Sequence, residues 1–566
     1  MLNWEIKDKI KIEGVDLDIH PIALNLLCQR GLGTKEKIEI FLNPDYDRDI
    51  GDPFLFSDME KAADRIKRAG DNKEKVVIFG DYDADGVTST VILKETLEEL
   101  GIITEIYIPD KKLEGYGLNL EAIGNFKRSG IKLIITVDCG ITNFDEISEA
   151  KKQGIDVIIS DHHHVPENFP PALAIINPQM ENCRYPSRNL AGVGVTFKIV
   201  QALYKKLLPE KLDQTKWLLD LVAIGTIADC VPLENENRAL AKFGLLVLSK
   251  TRRAGLKELF SVGRITVDED NYPDARKVAF QIAPRINAAG RMDHANTAFN
   301  LLVEKNQALA RGLALEIEAS NQKRQKETDR VAEEIRILAN NAFKNKKFIF
   351  AAGEHFPIGI AGLVAGKIAD EFHKPAAVFQ KEEKVSRGSF RSIPELNIIE
   401  LLEKCQDLTL KCGGHSQAAG VTVANNKLND FYEKLDGLIE KELEGKEYGS
   451  VTEIDLEISA EDIDFELADT IKKFEPFGEG NEEPVFLARG MVVQEIKTVG
   501  NAGKHIKLFL RPAGDSPKIF EAIGFNLNEK FNHLKMGDKV NIVFNLQTDS
   551  WNGNKKIQLK LIDLKS

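Results

Sequence analysis

Phe79-Gly-Asp-Tyr-Asp-Ala-Asp-Gly86 sets three carboxylates at every second position directly behind an apolar run, Val76-Val-Ile-Phe79. The run is short and rich in β-branched residues. Behind the acids comes the amphipathic Val91-Ile-Leu-Lys-Glu-Thr-Leu-Glu-Glu-Leu100, so the segment reads strand, loop, helix. The same order recurs between about residues 74 and 240, with Ile103-Thr-Glu-Ile-Tyr-Ile108, Leu133-Ile-Ile-Thr-Val137 and Val157-Ile-Ile-Ser160 as further strands. Strands apolar along their whole length and separated by helices predict a mostly parallel sheet covered on both faces, an α/β domain.

If the acidic stretch stays extended, Asp81, Asp83 and Asp85 project towards one side and a helix begins near Gly86. So much like charge in one place is costly without cations, which points to a divalent-metal site. An EF-hand loop also opens Asp-x-Asp-x-Asp-Gly, but its twelfth position here is Ile92 and a strand precedes it where that motif needs a helix. Asp138-Cys-Gly140 follows the strand ending at Val137, and Asp161-His-His-His164 the strand ending at Ser160. The carboxyl ends of parallel strands share one edge, so these acids and imidazoles can meet there. Asp229, closing the apolar Ala223-Ile-Gly-Thr-Ile-Ala228, is a further candidate, with helix capping as its alternative. Oxygen donors with one imidazole suit Mn²⁺ or Mg²⁺.

Outward from this block, residues from about Glu304 to Asn341 hold no proline and only Gly312, and read as a long helix of roughly 50 Å joining two domains. A second α/β block follows with Lys347-Phe-Ile-Phe-Ala351 and Ala376-Ala-Val-Phe379, and from about Val451 alternating strands and turns such as Asn552-Gly553 suggest a small β-barrel. At 566 residues several domains are expected, and 43% hydrophobic content argues against disorder. No run approaches the roughly eighteen apolar residues of a membrane span. The amino terminus shows no cationic leader with an apolar core, so an intracellular protein is expected. The six cysteines lack a CxxC pair and are expected to be reduced and mostly buried. A net charge of −12 favours, on composition alone, a small-molecule enzyme; a nucleic-acid enzyme would need its 76 Lys and Arg residues concentrated locally.

Asp81-Tyr-Asp-Ala-Asp-Gly, Asp138-Cys-Gly, Asp161-His-His and Asp229 stand in the order of the four motifs of the DHH phosphoesterases, and the chain resembles that superfamily. The resemblance implies two divalent metal ions, Mn²⁺ preferred and Mg²⁺ admissible. Their ligands would be Asp81, Asp83, Asp85, Asp138, His162 and Asp229, with Asp138 the bridge and the direct or indirect roles of the first three left open. Such a pair hydrolyses a P–O bond. His163 would contact phosphate or give a proton to the leaving group, unless it merely packs against Asp161; His164 is expected to be structural.

Lys411-Cys-Gly-Gly-His-Ser-Gln-Ala-Ala-Gly420 looks like the glycine-rich motif of the DHH-associated domain, where Gly413, Gly414 and His415 would approach the substrate. Ser386-Arg-Gly-Ser-Phe-Arg-Ser392 offers Arg387, Ser389 and Arg391 to a terminal phosphate. Ala283-Pro-Arg-Ile-Asn-Ala-Ala-Gly-Arg-Met292 resembles a motif of the RecJ family and offers Arg285, Asn287 and Arg291 to the phosphate backbone, each arginine being equally open to a structural ion pair. Phe474-Glu-Pro-Phe-Gly-Glu-Gly480 leads into what is similar to the oligonucleotide-binding (OB) barrel of that family; Phe509 and Trp551 are candidate base stackers, with core packing the expected place of Phe509 and a turn that of Trp551.

The resemblance spans nearly the whole chain and implies an α/β multidomain architecture. Residues 1–73 would be an N-terminal segment packed on the DHH domain, 74–303 the parallel-sheet DHH domain and 304–345 the connecting helix. Residues 346–450 would form the smaller α/β DHH-associated, substrate-binding domain and 451–566 the OB-fold barrel, with no further domain expected behind it. The function implied is 5′-to-3′ exonuclease action on single-stranded DNA in recombination and repair, in the cytoplasm and without a membrane. A single-strand-binding protein and a RecQ-type helicase are the protein partners this implies.

Overall fold

The computed structural model describes all residues except 1–2, 11–14, 111–113, 116, 269–271, 293–294, 447, 450, 501–502, 515 and 552–553, and not the side chains of 292, 549–551 and 554. The Asn552-Gly553 turn and the Trp551 side chain thus lie outside the described residues.

Strand β1 (Asn3–Ile6) opens the chain. The first large sheet holds β2 (Lys75–Gly80), β3 (Thr104–Tyr107), β4 (Ile131–Val137), β5 (Asp156–Ser160) and β6 (Ala174–Ile176), all parallel, in the order β3-β2-β4-β5-β6. Alternation along β2 sends Val76 and Ile78 into one core and Val77 and Phe79 into another on the opposite face. That is why the strand reads as an unbroken apolar run. The first core is shared with helices Ala84–Glu99, Gly192–Leu207 and Leu219–Ala228. Register aligns Gly80 with Val137 and Val137 with Ser160, so β2, β4 and β5 end level with one another. Three motifs far apart in sequence therefore start side by side, at the place where the strand order reverses about β2.

One helix, Gln307–Asn341, runs 35 residues, about 50 Å at 1.5 Å per residue. Its Ala310, Ala314 and Ile317 are buried in the first domain, whereas Val331, Ala332, Ile335 and Ala339 are buried against the second. The second domain is a mixed sheet of β7 (Ile349–Gly353), β8 (Ala376–Lys381), β9 (Val385–Arg391), β10 (Thr409–Gly414) and β11 (Ala418–Ala424), ordered β10-β11-β9-β8-β7. Helix Ile358–Phe372 packs on β8 and β9.

After the short β12 (Val451–Ile454) come β13 (Leu456–Glu457), β14 (Phe486–Val499), β15 (His505–Pro512), β16 (Phe520–Gly524), β17 (Lys539–Trp551) and β18 (Asn554–Lys565). They close into a barrel through the additional β14–β17 pairing.

The N-terminal segment departs from expectation. Ala23, Leu26, Leu27, Ile38 and Leu42 belong to the core of the barrel, and β1 pairs in parallel with β12. Only from about Tyr46 onward, through Ile50 and Phe54 to helix Met59–Asp71, does the segment pack on the first domain. An amphipathic pattern announces that a helix face is buried but not against which core, and a parallel pairing between residues 3 and 451 leaves no local trace. Among the described residues no helix is long and apolar enough to cross a membrane.

Candidate metal centre and substrate face

The acidic stretch does not stay extended. Asp83 caps helix Ala84–Glu99, its Oδ1 accepting from the backbone N–H groups of Asp85 (2.9 Å) and Gly86 (3.1 Å). The helix thus begins two residues earlier than Gly86, because the carboxylate that the sequence offers as a ligand is also a good cap. Asp85 then turns towards the start of helix Gly192–Leu207, where its oxygens accept from Gly192 N–H (2.7 Å) and Val193 N–H (2.8 Å). Asn287 Oδ1 accepts from Ala84 N–H at 2.7 Å, so this residue braces the acidic loop from the side.

The acids nevertheless converge. Single ligand atoms of Asp81, Asp83 and Asp138 lie within 4.8 Å of one another, and so do those of Asp85, His162 and Asp229. His162 Nε2 faces both sets, 3.2 Å from Asp138 Oδ1 and 3.5 Å from Asp229 Oδ2. Among the described residues buried His162 Nε2 and Asp229 Oδ2 have no hydrogen-bond partner, as fits ligand atoms turned towards a cation. Asp138 holds its place at φ +62, a left-handed conformation rare outside glycine, with its N–H on Ser160 O at 2.9 Å. A β-carbon at Gly192 would collide with the Asp138 carboxylate, so glycine is required there.

Burial, then repulsion among the carboxylates, raises Asp138 well above the ordinary carboxylate range, Asp85 to about 7 and Asp229 to about 9. Burial, then the charge of His163, lowers His162 to about 4, the neutral form a metal ligand needs. His163 behaves oppositely. Burial works against its charge, but the hydrogen bond from Nδ1 to Asp161 Oδ1 (2.7 Å) and the charge of that acid outweigh it and raise His163 to about 9. Asp161 itself is buried and accepts from the backbone of Ile141, His162 and His163. His164 is exposed.

The other candidates divide. Arg285 is committed to Glu318 (2.7 Å) and to the carbonyls of Gln281 and Gly263, an internal ion pair and not an open phosphate contact. Asn287, likewise, is occupied as the brace just described. Arg291 lies half-buried within the field of Asp83. Arg391 feels the repulsion of Arg291, and so does Arg324 on the connecting helix. Arg324 was not singled out from the sequence: among the described residues its hydrogen bond is to Asn321 Oδ1 on its own helix (2.9 Å), and its buried Nε has no partner. The one signal was an asparagine three residues ahead of an arginine, with burial of Asn321 as the fact that sequence did not supply.

On the second sheet, Ser389 aligns with Gly420 and Gly420 with Gly413, while Arg391 aligns with Ala418 and Arg387 with Thr422. Small residues thus leave backbone open beside Ser389. Arg387 is exposed and 3.5 Å from Glu382. Gly414 sits at φ +150 and His415 N–H closes the hairpin on Ala418 O at 2.8 Å. Among the described residues, no hydrogen bond or ion pair ties Gly413, Gly414 or His415 to the acid cluster. On the barrel, Phe509 is not in the core: it lies on the outward face with Lys497 at 4.9 Å and Lys507 at 5.8 Å from its ring, the make-up of a base-stacking platform. Cys28, Cys139, Cys183 and Cys405 are buried free thiols, whereas Cys412 is half-buried and Cys230 exposed.

Comparison with known proteins supplies the context. Residues 75–226 match the N-terminal domain of the DHH family, 345–441 the DHHA1 domain and 454–563 the RecJ OB domain. The chain is 38% identical to the single-stranded-DNA-specific exonuclease RecJ of Bacillus subtilis over 99% of its own length and 70% of that protein's. With the enzyme of the same name from Haemophilus influenzae it shares 32% identity over 97% of each. The fold superposes on RecJ of Thermus thermophilus in complex with Mn²⁺ with a TM-score of 0.83 at 27% identity, covering all of this chain and 79% of that one; the Mg²⁺ complex gives 0.76 at 25%, covering 100% and 78%.

Proposed function

The chain belongs to the RecJ family of single-stranded-DNA-specific exonucleases, and from that membership we propose an enzyme that consumes its strand from the 5′ end, with two metal ions and Mn²⁺ ahead of Mg²⁺. The activity is metal-dependent hydrolysis of phosphodiester bonds in single-stranded DNA. The observation that carries the finer reading is the pairing of two acid sets about His162, with Asp138 adjoining both.

In this reading Asp81, Asp83 and Asp138 would hold one cation and Asp85, His162 and Asp229 the other, with Asp138 serving both. When bound, such a pair supplies a nucleophile at neutral pH and offsets charge on the phosphate oxygens. His163, kept protonated and oriented by Asp161, is placed to contact the phosphate and pass a proton to the departing oxygen. Gly192 and Val193 N–H groups fix Asp85, so that ligand cannot swing away. Arg391 and Ser389, with Arg291 and Arg324 converging from the first domain and the helix, take a terminal 5′-phosphate; the open backbone at Gly413 and Gly420 lets the strand approach. Phe509 stacks a base farther along. A single-strand-binding protein that coats the substrate and a RecQ-type helicase that unwinds it are the partners of this reading, and the cytoplasm its compartment.

The decisive experiment is a time course of products from long single strands labelled at either end, with Mn²⁺ and Mg²⁺ compared. Early release of mononucleotide from the 5′ label supports the reading. Release from the 3′ label, or cleavage confined to dinucleotides, overturns it.

A further inference from the structure

The ligand atoms of the acid cluster form a third group besides the two already described: one atom each from Asp138, His162 and His163 lies within 4.8 Å of the others. It overlaps both. Asp138 belongs to the first set and His162 to the second, so a cation held by this group takes one ligand from each. The donors also differ in kind. The first set is three carboxylates and the second two carboxylates with one imidazole, whereas this group is two imidazoles with one carboxylate.

Both rings are set for a metal. His163 Nδ1 bonds Asp161 Oδ1 at 2.7 Å, and that carboxylate is fixed in turn by the backbone N–H groups of Ile141, His162 and His163. Such a carboxylate behind an imidazole orients metal-bound histidines, and it leaves Nε2 as the nitrogen that His163 offers. The His162 ring bonds the backbone of Leu190, while its Nε2 has no hydrogen-bond partner among the described residues. The two ring centroids are 4.4 Å apart with the planes tilted by 56°, not stacked face to face. Ligand atoms at zinc bonds of roughly 2.0–2.1 Å and tetrahedral angles lie about 3.3 Å apart. His162 Nε2 and Asp138 Oδ1 are 3.2 Å apart. His163 is half-buried, so the group opens on one side, where a water completes four-coordination.

We propose that Asp138, His162 and His163 form an inhibitory site for Zn²⁺, alternative to the metal pair. Two imidazoles favour zinc over magnesium or manganese, which suit oxygen donors, and Zn²⁺ outbinds Mn²⁺ at mixed nitrogen and oxygen sites. Three protein donors with an open fourth position are a usual zinc arrangement. Zinc bound there withdraws Asp138 and His162 from the pair and occupies His163, whose proton is released as the metal binds. The inhibition rests on the reading of the pair and of His163 given above.

The test is zinc binding to the full chain, measured against a chromophoric chelator, together with zinc K-edge absorption. One Zn²⁺ per chain is expected with two imidazoles in its shell, and zinc added to the Mn²⁺ enzyme should halt DNA digestion until excess Mn²⁺ restores it. His163→Gln should weaken zinc by roughly tenfold or more, the loss found when even an outer partner of a metal ligand is removed. It should leave one imidazole in the shell and Mn²⁺ affinity at the wild-type value, which also shows that the site has folded. Asp83→Asn, where asparagine keeps the helix cap, should do the reverse and weaken Mn²⁺ while sparing zinc. Equal zinc affinity in the wild type and His163→Gln, a single imidazole in the wild-type shell, or zinc that weakens with Asp83→Asn as Mn²⁺ does would each overturn the inhibitory site and leave the pair standing. Mn²⁺ affinity indifferent to Asp83→Asn would overturn the pair on which it rests.

Discussion

The acid cluster of the first domain and the arginines that face it are opposite solutions to one electrostatic problem. The acids are gathered by a single sheet edge, are held by backbone amides, and repel one another enough to need cations. The arginines come from three separate elements, the end of helix Ala283–Met292, the connecting helix and β9; burial and then the charge of Arg291 work against the charged forms of Arg324 and Arg391. In the proposed reading, a phosphate between metals and guanidinium groups would answer both. A formal charge of −12 belongs to the whole chain and leaves room for a local group of guanidinium ions such as this one.

The comparison breaks most completely at Asp138. Asp138→Ala should reduce hydrolysis by about 10³-fold or more while single-strand affinity, read by fluorescence anisotropy in Ca²⁺, changes little; retained turnover would mean that the two acid sets do not share this carboxylate. Next come Arg324→Ala and Arg391→Ala. Each should cost about 1.5–3 kcal/mol in kcat/KM on a 5′-phosphorylated strand and far less on a 5′-hydroxyl strand, and equal losses on both would separate these arginines from the terminal phosphate. Removing the cations tests the other side. Saturating Mn²⁺ should raise the thermal midpoint above that in EDTA, by the equivalent of about 2.7 kcal/mol at a hundredfold excess over Kd, and Gly192→Ala should abolish most of that rise. Phe509→Ala lies outside both clusters and should cost about 1–3 kcal/mol of affinity for long strands, with turnover of short ones preserved.

How much of this was legible in the sequence follows the same division. Strand ends in one parallel sheet are brought together by topology, so Asp81, Asp138 and Asp161 could be grouped from strand patterns before any coordinates. What the pattern could not carry was competition for the same atoms. Asp83 caps its helix and Asp85 binds amides 107 residues away, so the extended stretch becomes a turn. Arg285 shows the reverse failing: a motif arginine is spent on Glu318, while Arg324, in a stretch that reads only as a connecting helix, lies in the field of Arg291. The barrel was visible as alternation, yet alternation does not say which side of β15 faces inward, and Phe509 went the other way. Residues 3–42 were misplaced because an apolar helix face carries no address.

The helix Gln307–Asn341 remains. It is embedded at one end in the first core and at the other in the second, with Arg324 between the two anchored stretches. It therefore works as a caliper: the gap between the acid cluster and the second sheet is metered by a count of residues and not by a loop. Adding one turn after Asn321 would open the jaws by about 5.4 Å and rotate little, enough to part the halves of the grip while each half stayed folded.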